Sequence, residues 1–204
     1  MKRRRRYKTW EMSQSSSPTT TTRQPDSTLE TVRARYAEGA QQQVPELCCP
    51  VDYDASLLAV LPAEIVDRDY GCGDPSRFVR EGDVVVDLGS GAGKICYMAS
   101  QIVGPTGRVI GVDTTDEMLA LAREHQQAVG ERIGWHNVDF HRGHIQDLRL
   151  DHDALEGWLA EHPVRDLQGL DALEQQRHAL RETAPMVDDE SVDVVLSNCV
   201  LNLV

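Results

Sequence analysis

Two groups of residues in this chain of 204 have the types and spacing to do chemistry. The first is Asp87-Leu88-Gly89-Ser90-Gly91-Ala92-Gly93, three close glycines that follow an apolar run and precede a helical pattern opened by Lys94. A glycine-rich turn between a strand and a helix lets the backbone approach a ligand and points free N–H groups at it. The second group is thiols. Cys72 stands in Tyr70-Gly71-Cys72-Gly73 and Cys199 in Ser197-Asn198-Cys199-Val200, Cys48 and Cys49 are adjacent, and Cys96 falls two residues after Lys94. An odd number of cysteines without a secretion signal speaks for reduced thiols rather than a disulfide framework. No Cys-x-x-Cys pair is present, which argues against a zinc ribbon or finger. Any single cysteine is by default a small buried hydrophobe, and that reading is given to Cys96. His141 and His144 sit at odd separation on an expected strand, hence on opposite faces, and are read as no metal site.

The elements that must carry these groups follow from periodicity. "DVVVDL" from Asp83 is a continuous branched run, suited to a strand covered on both faces. "GKICYMASQIVG" reads as a helix ended near Gly104-Pro105, "GRVIGVD" as a second strand, and "TTDEMLALAREHQQAVG" as a second helix with Thr114 and Glu117 as a capping box. "VDFHRGHI" supplies a third strand and "SVDVVLSNCVLNLV" a fourth. Strands alternating with helices at this spacing predict βαβ units in a doubly wound, Rossmann-like α/β parallel sheet. Residues 146–191 exceed what a simple crossover needs and are read as a helical insertion on the sheet's rim, with Trp158 and the leucines from Leu155 to Leu180 as packing residues. The pattern stops a few residues past the fourth strand, so the second half of such a sheet is expected to be missing, with an exposed edge at Val194–Leu196.

Upstream, residues 26–82 read as an N-terminal cap segment. It holds a helix from Ser27, capped by Glu30 and ended before Pro45, and a short helix at Pro62–Arg68. Residues 1–25 read as a disordered tail, basic and then Ser/Thr-rich. Six basic side chains lie in residues 1–8, so the net charge of −12 understates how acidic the remainder is. An acidic body argues against a nucleic-acid surface, which needs clustered Lys and Arg. No apolar run is long enough to span a bilayer and no signal peptide precedes the body, so a cytoplasmic protein without a membrane span is expected.

The acid-x-Gly-x-Gly-x-Gly form resembles the first motif of the class I S-adenosylmethionine-dependent methyltransferases. That resemblance implies S-adenosyl-L-methionine as cofactor, over Asp87, Gly89, Ser90, Gly91 and Gly93. Asp113, ending the second strand, is placed to accept both ribose hydroxyls. Thr114 follows it, Ile145 would line the adenine site, Tyr70 is placed to close over the cofactor, and Asn198 completes the set. More narrowly, "LPAEIVDRDYGCGDP", "GPTGRVIGVDTTDEMLALAREH" and "SVDVVLSNCVLNL" resemble the arsenite methyltransferase family, from about Val32 to Val204. The resemblance implies that Cys72 and Cys199 bind trivalent arsenic as substrate, with Cys48 and Cys49 near a further family thiol, and that a thiol such as glutathione or thioredoxin serves as reductant. Thiolates suit a soft, thiophilic centre whose lone pair can attack the sulfonium methyl in line. The chain departs from the family at Lys94-Ile95, where the family usually has Arg-Asp, and at Thr114, where it usually has Met. Residues 83–204 are thus expected to be an incomplete S-adenosylmethionine-binding methyltransferase domain for arsenite detoxification. Two rivals remain: a methyltransferase for another small molecule with Cys72 and Cys199 structural or redox-active, and a truncated, inactive cofactor-binding module.

Overall fold

The computed structural model describes residues 27–41 and 51–200. The tail at 1–25, the Cys48-Cys49 pair and the chain's last four residues lie outside the described residues.

Four parallel strands form one sheet in the order β3-β2-β1-β4, with β1 Val84–Leu88, β2 Arg108–Asp113, β3 Val138–Arg142 and β4 Val194–Ser197. Val85 pairs with Val109 on one side and Val194 on the other; Val109 in turn pairs with Val138. Val85 and Val86 of β1 are buried on opposite faces, as a continuous apolar run requires: Val85 joins one core, Val86 the other. Helix α4, Lys94–Val103, returns the chain from β1 to β2, and α5, Asp116–Ile133, from β2 to β3. The chain then crosses back through α6, His152–Glu161, and α7, Leu167–Thr183, to lay β4 on the far side of β1. The order reverses between β1 and β4, and the crevice beyond the carboxyl ends of those strands is where such sheets bind ligands.

One face of the sheet is thickly covered. α4 lies against β1 and β2, with α5 beside it, α2 (Ala55–Leu58) and a 3-10 turn at Pro75–Phe78 above it. Eight of its ten residues are buried in consequence. α1, Ser27–Gln41, packs on α5, and α3, Ala63–Asp67, contributes the fully buried Ile65. The cap segment is stitched on by Arg68, which donates to Ala40 O at 2.9 Å, and by Arg132, which donates to Val60 O at 2.9 Å. The opposite face has a thin cover. Val86, Ile110 and Val112 pack with Met186 and Val187, while Val195 on β4 is 60% exposed.

Three local expectations change. α5 is capped at Thr115, not by a Thr114–Glu117 box, because the Asp113 carboxylate already accepts the Thr115 N–H at 2.8 Å. β3 ends at Arg142, so His144 is not on a strand. Its ring meets His152, centroids 4.7 Å apart, in the loop leading to α6. The insertion forms two helices as expected, which pack on each other without fully burying any residue: Leu167 is 78% exposed, while Trp158 is half-buried and stacks on His162. Met186 and Val187 anchor the insertion's end on the sheet, while α6 is held by ion pairs: Arg142 with Asp153 and Glu156, and Arg123 with Asp153. Arg181 pairs with Asp147 within the insertion itself.

Candidate functional site

β1 delivers Asp87 into the crevice, and the turn that follows bends sharply enough to need glycine. Gly89, Gly91 and Gly93 all have positive φ, 76°, 53° and 87°, a region open to glycine at little cost. They divide the labour. A Cβ on Gly91 would meet nothing within 4 Å, so that residue faces open space where a ligand fits. A Cβ on Gly93 would stand 2.7 Å from Phe140 Cζ, so that glycine serves the packing of α4 against β3.

The crevice is an open cavity whose empty space, solvent at its mouth included, is about 1060 Å³. Its lining contains Tyr70, Asp87, Gly89, Ser90, Gly91, Asp113, Thr114, Ile145 and Asn198, which the sequence singles out, but not Gly93. It also contains Asp69, Met118 and Gln146, and His144, which the sequence raises only as a rejected metal ligand. Asp69 adjoins Tyr70, and its polarity beside that motif was the available signal; His144 and Gln146 are the chain neighbours of Ile145, and that adjacency was the signal for them.

The donor and acceptor set fits a ribose and an amino-acid moiety. The buried Ser90 hydroxyl has no hydrogen-bond partner among the described residues, which a bound polar group would supply. Asp113 accepts Gly91 N–H at 2.9 Å through one oxygen and Thr115 N–H through the other. Each oxygen keeps lone-pair capacity for a further donor. Asp87 is 2% exposed, and burial pushes its carboxyl up to about 7, against a lowering hydrogen bond from Cys96 and with further upward pushes from Asp69 and Asp113. The Cys96 thiol, itself raised well above the ordinary value by burial and by Asp87, donates to Asp87 Oδ2 at 3.4 Å. It is buried and inert as a nucleophile, in line with the packing role expected for it.

Two site residues are held differently from expectation. Tyr70 is 7% exposed and already seated: its hydroxyl donates to Gly39 O at 2.9 Å and its ring meets Tyr36 edge to face. Asn198 lines the cavity, but its amide clamps the thiol loop, accepting Cys72 N–H at 3.0 Å and donating to Gly73 O at 2.7 Å. That clamp brings Cys72 to Cys199. The two are joined as a disulfide with Cα atoms 6.1 Å apart across 127 residues of sequence. Composition favours reduced thiols, yet these two have a bonded state as well. Cys199 adopts φ 59°, a left-handed backbone that turns the chain at the end of β4.

A family profile described as a methyltransferase domain matches residues 80–161. The arsenite methyltransferase of Aquipseudomonas alcaligenes is 37% identical over 147 residues, 72% of this chain and 33% of that protein. That of Halobacterium salinarum is 34% identical over 205 residues, 89% of this chain and 42% of that protein. The crystal structure of CrArsM, an arsenic (III) S-adenosylmethionine methyltransferase from Chlamydomonas reinhardtii, superposes with a TM-score of 0.51 at 28% identity, over 76% of this chain and 42% of that one. The chain therefore spans less than half the length of the curated relatives it matches. With its sheet order and glycine turn the chain has a class I, Rossmann-like fold, and over most of its own length it is similar to the arsenite methyltransferases.

Proposed function

We propose that this chain binds S-adenosylmethionine in the crevice and takes part in methylation of trivalent arsenic held by Cys72 and Cys199. The observation that carries the reading is the meeting of these two thiols through Asn198, a residue that lines the cofactor cavity itself. When bound, S-adenosylmethionine supplies a methyl group made electrophilic by its sulfonium.

The chain's own residues divide the remaining work. Gly91 leaves room for the ligand, Ser90 and Asp113 offer the unused hydroxyl and carboxylate positions, and Thr114 and Ile145 flank the nucleoside end. Asp87 suits a cationic ammonium, which would favour its ionised form. Cys72 and Cys199 act as soft thiolate ligands once their disulfide is reduced by two equivalents of a thiol such as glutathione, or by a thioredoxin dithiol. With Cys72 and Cys199 as its ligands, trivalent arsenic would keep a lone pair free to receive the methyl group that the cofactor would supply. No proton moves in that step, so orientation is the protein's main contribution. Cys48 and Cys49 are proposed as accessory thiols. Among the described residues no helix is long and apolar enough to cross a membrane. A reducing, cytoplasmic setting fits the need for free thiols.

The test uses labelled S-adenosylmethionine, arsenite and glutathione with the chain as it stands, following methylated arsenic by mass spectrometry. Product that disappears in Cys72→Ser supports the reading. Turnover of another acceptor that survives Cys72→Ser and Cys199→Ser would overturn it in favour of a different small-molecule methyltransferase.

A further inference from the structure

We infer that Lys94 is a positioning residue that ties the Cys72 loop to the helix carrying the glycine turn, and so sets how readily Cys72 and Cys199 act as a pair. Lys94 opens α4, directly after Gly93, and its side chain is 5% exposed. A lysine is almost never buried unless paired. Its ammonium pairs with Asp69 Oδ2 at 2.7 Å, with the Asp69 side chain 10% exposed, and lies 4.0 Å from the centroid of the Tyr53 ring. Each of these partners reaches on to the thiol loop. Asp69 Oδ2 accepts Gly71 N–H at 3.1 Å, and the Tyr53 hydroxyl donates to Gly73 O at 3.2 Å.

Cys72 therefore sits between two residues whose backbones are held, on one side, by the partners of Lys94. Asn198 holds the other side, from the end of β4. The clasp is asymmetric in what it joins: Asn198 fixes the loop to the strand bearing Cys199, whereas Lys94 fixes it to the helix that begins where the cofactor turn ends. A buried ammonium shared between a carboxylate and an aromatic face has few alternative placements, because each would leave a desolvated charge unpaired. Lys94 thus limits the wandering of the Asp69–Gly73 segment, and the effective concentration of one thiol at the other depends on that limit.

This inference rests on the proposed function for its biological meaning, but its test needs neither cofactor nor arsenic. The full chain is equilibrated in glutathione buffers of varied redox ratio, and the fraction with Cys72 joined to Cys199 is read by mass spectrometry after acid quenching and alkylation. Lys94→Met is expected to lower the equilibrium constant for the bonded pair about tenfold, a shift of about 30 mV to higher potential for this two-electron couple. Lys94→Arg is expected to return it to within about threefold of the parent. Asp69→Asn separates positioning from simple electrostatics and serves where Lys94→Met does not fold. Loss of a cation and loss of an anion would push thiolate stability in opposite directions, whereas a broken clasp moves the exchange constant the same way in both. A constant unchanged in folded Lys94→Met, or opposite shifts in the two variants, overturns the proposal. A parent chain that binds no S-adenosylhomocysteine by titration calorimetry would instead sink the cofactor reading, leaving the exchange result to stand by itself.

Discussion

α4 buries eight of its ten residues between the sheet and the N-terminal cap, whereas α6 and α7 bury none, and arginine–carboxylate pairs join α6 to β3 and α7 to the loop before α6. The carboxylates of the two regions respond in opposite senses. Burial drives Asp87 up to about 7 beside the glycine turn. In the insertion, the Arg181 hydrogen bond lowers Asp147. Burial raises Asp151, but hydrogen bonds from His141 and from backbone N–H groups outweigh it and leave it lowered. The site is therefore built where water is excluded, and the insertion where water still screens. A region of the first kind tolerates little change, and one of the second kind tolerates much.

The largest expected contrast is in pH dependence. Asp87 has a folded-state value above its ordinary 3.8, so its contribution to stability is whole below pH 3.8 and is lost as pH rises through about 7. The loss amounts to about 4 kcal/mol across that window. Asp147 and Asp151 run the other way, contributing above the ordinary carboxylate range and losing that contribution on acidification. Urea unfolding of Asp87→Asn against the parent from pH 4 to pH 8 isolates the first effect. A stability difference that stays flat over this range would break the contrast.

Next in size is Met98→Ala, which empties a fully buried position in α4 and is expected to cost about 3 kcal/mol in denaturant unfolding. Arg142→Ala should cost about 1 kcal/mol: it loses Asp116, Asp153 and Glu156, but all three carboxylates are more than 40% exposed. Thermal melts at low and high salt sharpen this point, since the Arg142 cost should shrink in salt while the Met98 cost does not. Smallest is Leu167→Ser in α7, expected to change stability by less than about 0.5 kcal/mol because that leucine is 78% exposed. A cost near that of Met98→Ala would mean that α7 packs against something in solution and would erase the distinction between the regions.

Much of the first region is legible in the chain itself. The Val84–Val86 run, the glycine spacing and the acid at Asp113 specify strand, turn, helix and strand locally, because each depends on neighbours only a few residues away. The insertion was legible as helix but not as exposed helix. Leu167 and Leu170 stand at a helical interval on α7 and are exposed, while Leu155 on α6 is half-buried, and periodicity tells which face is apolar without telling whether anything covers it. His144 and the cap at Thr115 were misread for a related reason. The Asp113 carboxylate, at a strand end, decides which residue caps α5, and Gly143 N–H bonds back to Asp113 O to take the chain out of β3.

By itself, then, the sequence determined the α/β class, the parallel strands and the glycine turn, since these rest on local sterics and on apolar periodicity. Only the tertiary structure decided that Gly93 packs while Gly91 opens on the cavity, that Asn198 clamps Cys72 beside Cys199, and that Lys94 is buried against Asp69 and Tyr53. The physical reason is distance along the chain. Cys72 and Asn198 are 126 residues apart, and a hydrogen bond between them exists only after the sheet has brought the end of β4 under the N-terminal cap.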